Sequence, residues 1–71
     1  MFEPITSEIN LHTGQVLKEI ATGTLFEIGV RMRDGSDKWE VKEIAPDDQS
    51  RIIMVADRQT LAMKFFAEAE D

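Results

Sequence analysis

The chain has 71 residues, 42 % of them hydrophobic, with no cysteine, one histidine, and 14 acids against 8 bases for a formal charge of −6. That length allows one domain with a small core, and the lack of cysteine excludes disulfides, thiolate zinc sites and cysteine nucleophiles together. Six of the eight cations lie in residues 31–58, interleaved there with seven acids, so no concentrated positive surface for a phosphate backbone is expected.

Residues 1–8 open with MFEPITSE, where acids and a proline replace the basic and apolar runs of a secretory leader. They read as an irregular N-terminal segment of a single domain spanning residues 1–71. No stretch reaches the roughly 18 consecutive apolar residues of a membrane span, so a cytoplasmic setting is expected.

Residues 9–23, INLHTGQVLKEIATG, allow two readings. Val16, Leu17, Ile20 and Ala21 followed by Gly23 suit a short helix. LKEIA at 17–21 is echoed by VKEIA at 41–45, and the second copy continues a strand. The balance favours a strand preceded by a turn at HTGQ.

Residues 24–33, TLFEIGVRMR, alternate cleanly, with Phe26, Ile28, Val30 and Met32 on one face. Period two with one apolar face is a half-buried strand. A hairpin follows. Placing Gly35 and Ser36 at the two central positions of a type II′ turn pairs Met32 with Trp39, Arg31 with Glu40 and Val30 with Val41. Residues 38–45 continue as a strand, with a bulge near Lys42 and Glu43 bringing Ile44 back to the apolar face. PDDQS reads as a turn, and RIIMVA, apolar on both parities, as a central strand covered on two sides.

From Asp57, a capping residue, QTLAMKFFAEAE holds helix formers and predicts a C-terminal helix over 58–69. Leu61, Ala62, Phe65, Phe66 and Ala69 form its core stripe. The expected class is therefore α+β, mainly antiparallel β: a three- to four-stranded meander or small SH3-like partly open barrel with one C-terminal helix. Phe26, Trp39, Ile52, Met54 and Phe65 are expected in the core.

The chemistry-bearing residues are sparse. Asp34, Gly35 and Lys38 miss the ligand spacing of a calcium loop, although Asp34, Asp37, Asp47 and Asp48 could converge where two turns meet. Serine–histidine pairs reduce to Ser7, Ser36 or Ser50 with His12, and no nucleophile elbow, phosphate loop or zinc-helix motif occurs. No catalytic residue, metal ligand or cofactor site is assigned, and the chain is not expected to be an enzyme. Met63, Phe66 and Ala67 lie beyond the stripe the helix needs for docking, and they form the candidate protein-interaction surface.

Three functions follow from this reading. One is a small acidic protein-interaction module, an adaptor or regulatory subunit, self-associating as a homodimer through the C-terminal helix. Another is an acidic inhibitor that mimics nucleic acid towards a nucleic-acid-binding protein. Direct nucleic-acid binding through an SH3-like barrel is disfavoured by the charge pattern and by a Trp39 that faces inward.

Overall fold

The computed structural model describes residues 1–44 and 51–69. Its elements in chain order are β1 (Phe2–Pro4), β2 (Val16–Glu19), β3 (Leu25–Arg31), β4 (Lys38–Glu43), β5 (Ile52–Asp57), α1 (Arg58–Lys64) and β6 (Phe65–Glu68). The strands form one antiparallel sheet in the order β1-β6-β2-β3-β4-β5. The class is the expected one, but six strands replace three or four. Two short strands went unread: β1 in the segment expected to be irregular, and β6 in the expected helix.

Strand β2 confirms the strand reading of residues 16–19, and the turn before it closes with Gln15 N–H donating to His12 O at 3.1 Å. The echoed segments behave alike. Leu17 and Val41 are both fully buried, and Ile20 and Ile44 are both about half exposed. Ile44 therefore does not return to the core as expected. A register shift does occur next to it, on the β5 side, between Val41 and Lys42.

The helix ends at Lys64 rather than at residue 69. Phe65 has extended backbone angles, and its N–H still donates to Leu61 O as the helix stops. Phe65 and Ala67 then turn inward while Phe66 and Glu68 turn away, a period of two. Helix-forming residues at 66–69 are overridden because β6 pairs on both sides, with β1 and with β2. Asp57 caps the helix as predicted, accepting from Thr60 N–H at 2.9 Å.

This connection also curves the sheet. Strands β5 and β6 are separated by three others in the strand order, a distance of about 19 Å if the sheet were flat. Only α1 joins Asp57 to Phe65, and seven helical residues span about 10 Å. The sheet must therefore curl to bring the two strand ends together.

The core lies on the concave face: Leu17, Phe26, Ile28, Trp39, Val41, Ala56, Leu61, Phe65 and Ala67, with Ile5 and Leu11 from the N-terminal connection. Phe26 and Phe65 meet edge to face, their centroids 5.7 Å apart. Of the five residues expected there, Phe26, Trp39 and Phe65 are buried and Met54 packs against them, but Ile52 is 52 % exposed. The register shift at Ile53 is the reason: it sets Ile52 opposite Lys42, on the face away from Met54 and Ala56, and β5 is the outer strand of the sheet, not a central one. Arg58 ties the N-terminal connection to the helix, donating to Thr6 O at 3.0 Å and Ile9 O at 2.6 Å.

Candidate interaction surface

The residues expected to form one interaction surface are dispersed. Met63 is exposed on α1, beside Ile20 and Ala21. Phe66 is half-buried on β6, opposite Pro4 and Lys18. Ala67 is fully buried and faces Leu17. A helix extended to residue 69 would have aligned all three; the switch to strand after Lys64 separates them.

The hairpin between β3 and β4 keeps its scaffold role but changes register. Val41 faces Ile28 rather than Val30, and Trp39 faces Arg31 rather than Met32. The slip between Ile28 and Arg31 places Gly29 and Val30 against Glu40, a β-bulge. Glu40 accommodates the bulge by accepting from Val30 N–H at 3.0 Å. A Cβ at 29 would lie 2.7 Å from Lys42 Cδ and 2.8 Å from Glu40 Oε1, so any larger residue there makes both side chains shift. Thr13 Oγ1 donates to the Gly29 carbonyl at 2.9 Å, so the bulge is held from two sides.

The loop is longer than a two-residue turn. Met32 N–H donates to Lys38 O at 2.8 Å, and Gly35 and Asp37 both take positive φ, 81° and 52°. Asp34 accepts from the hydroxyl and the backbone N–H of Ser36, and these bonds hold its carboxyl below its ordinary range. Asp37 pairs with Arg31 at 2.6 Å, and the Arg31 guanidinium lies 5.5 Å from the Trp39 ring. Trp39 itself is 9 % exposed and faces inward as expected, and its indole N–H has no partner among the described residues. Asp47, Asp48, Ser50 and the PDDQS turn lie outside the described residues. Within the described residues, Ser36 Oγ is engaged by Asp34, and His12 Nδ1 lies 3.2 Å from Thr13 O.

The surface that sequence reasoning missed is on β5 and the neighbouring bulge. Ile52, Ile53 and Val55 are each about half exposed on the outer strand, and Val30, expected on the apolar face of its strand, is 54 % exposed because the bulge turns it outward. Val55 stands opposite Glu40, which itself faces the bulge, so the apolar residues and the bulge share one region. The available signal was that RIIMVA is apolar on both parities; it was assigned to double coverage when an uncovered edge fits the same pattern. Comparison with protein-family models, curated proteins and solved structures finds no match for this chain.

Proposed function

We propose that this chain is a small acidic protein-interaction module, an SH3-like partly open barrel that binds through the apolar edge strand β5 and the adjoining bulge. The observation that carries this reading is the contrast between the sheet's two outer strands. Strand β1 has three residues, including a charged Glu3 and a Pro4 with no N–H to offer. Those features blunt an edge. Strand β5 has six residues, IIMVAD, with no proline and no charge before its last position, and its ladder with β4 is regular from Met54 to Asp57, with a register shift at Ile53. Backbone groups along such an edge pair readily with an added strand, and half-exposed Ile52, Ile53 and Val55 supply apolar contact. The C-terminal helix is not part of this surface.

The test is affinity capture from source cells with the wild-type chain and with the double variant Ile53→Lys, Val55→Lys. Both side chains are half exposed, so the variant is expected to fold, as circular dichroism would verify. Capture of specific proteins should fall at least tenfold. Equal yields from the two folded chains would refute the reading.

A further inference from the structure

We infer that the partner presents an extended segment with an acidic residue between apolar ones, and that its carboxylate seats on Arg33 in the cavity of the β3–β4 loop. This rests on the reading of the bulge as part of the interaction surface.

The cavity adjoins that surface. Its volume is about 470 Å³, and it is lined by Val30, Arg31, Met32, Arg33, Gly35 and Asp37. Val30 belongs both to the cavity and to the bulge. Val30 and Met32 give the cavity its apolar side, and the two guanidiniums give it donors.

The existing contacts single out Arg33. Arg31 is already engaged, paired with Asp37 at 2.6 Å and lying 5.5 Å from the Trp39 ring. Asp37 reaches it from a left-handed backbone conformation, which aspartate tolerates better than most residues. Asp34 is held by the hydroxyl and the N–H of Ser36, and Glu40 by Val30 N–H. Arg33 is exposed, and its side chain makes neither a hydrogen bond nor an ion pair among the described residues. On a chain of charge −6, the loop is thus a place where the uncommitted charge is positive.

The size of that charge fits a carboxylate. Arg31 and Asp37 offset each other, so the cavity wall is left with the single charge of Arg33. A carboxylate carries one negative charge and matches the two-pronged edge of a guanidinium. A phosphate close to dianionic would also face Asp37, and a polynucleotide would meet the net charge of −6. In an extended segment residues two apart share a face. Apolar side chains two positions from the acid therefore reach Val30 and Met32 while the acid meets Arg33.

The experiment is amide NMR of the full chain, titrated into the millimolar range with the peptide acetyl-Leu-Ser-Glu-Ser-Leu-amide. Saturable shifts are expected at residues 30–37. A peptide with glutamine in place of the glutamate should bind about fivefold more weakly, the upper range for an exposed ion pair, and added salt should narrow the gap. Arg33→Gln should weaken the glutamate peptide by the same factor, and it is expected to fold unchanged because the Arg33 side chain holds no partner. Absence of saturable shifts there, equal binding of the two peptides, or indifference to Arg33→Gln overturns the inference. Inorganic phosphate binding at these residues more tightly than the glutamate peptide overturns it too. The capture experiment separates the two readings: Arg33→Gln should lower the yield of the proteins that the Ile53→Lys, Val55→Lys variant loses. Yields lost only in the lysine variant overturn this inference and leave the β5 edge standing; yields lost only in Arg33→Gln do the reverse.

Discussion

Leu61→Ala tests whether α1 anchors the fold. Leu61 is fully buried and is the only buried residue of the helix. Truncation to alanine removes three carbons, a transfer loss of about 2.4 kcal/mol at about 0.8 kcal/mol each. The cavity left behind raises the cost towards about 5 kcal/mol if the walls do not collapse. A chain of 71 residues has a total stability of about 4–11 kcal/mol, so the variant loses a large share of it. The melting temperature should drop by at least about 10 °C, at about 4–8 °C per kcal/mol for a domain of this size. Urea unfolding followed by fluorescence of Trp39, the single tryptophan, measures the change. Met63→Ala, on the exposed side of the same helix, should change stability by less than about 0.5 kcal/mol. A Leu61→Ala loss under about 1 kcal/mol would mean that the helix is not docked as described.

Gly29→Ala should destabilise by about 1–3 kcal/mol, because the new Cβ displaces the Glu40 carboxylate that satisfies Val30 N–H; a neutral result in urea unfolding would remove the bulge argument. Arg58→Ala deletes two charge-assisted hydrogen bonds to Thr6 and Ile9, so it should cost about 1–3 kcal/mol and speed amide exchange in residues 5–11 more than in β3. Stability should also fall in acid. Bonds from the Thr60 backbone and hydroxyl hold the Asp57 carboxyl below its ordinary value of 3.8, and those from Ser36 do the same for Asp34. A carboxyl depressed in the folded state stabilises above its unfolded value, and that contribution is lost as pH falls through the folded one. Melting temperature should therefore hold from neutrality to about pH 5 and decline below pH 4, with a shallower decline in Asp57→Asn.

Legibility in the sequence followed the range of the interactions involved. The alternation of Phe26 and Ile28, the inward Trp39 and the Asp57 cap rest on local pattern, and each was readable. Residues 65–68 were not, because composition favours helix and only pairing with β1 and β2 makes them a strand. The hairpin register failed for a related reason. Counting outward from Gly35 and Ser36 assumes an unbroken ladder, and the bulge at Gly29 and Val30 is set by Glu40 and Lys42 on the other strand. The candidate surface inherited the first error, since Met63, Phe66 and Ala67 share a face only on a helix that continues past Lys64. The exposed β5 edge was hidden because sequence gives apolarity on both parities but not the place of a strand in the sheet order.

The position of the helix explains why the open edge lies where it does. Strand β5 enters α1 at Asp57, and the helix crosses at once to β6. Burial along β5 follows the face of the sheet. Ala56, opposite Trp39, is buried and Met54, opposite Val41, packs on the core, whereas Val55, opposite Glu40, and Ile52 and Ile53 at the register shift are about half exposed. A longer helix, or a linker before β6, could have covered more of the edge but would not have drawn the sheet into the same curl. The connection that completes the core with Leu61 and Phe65 thus packs on the face of β5 that carries Met54 and Ala56 and leaves Val55 exposed on the other.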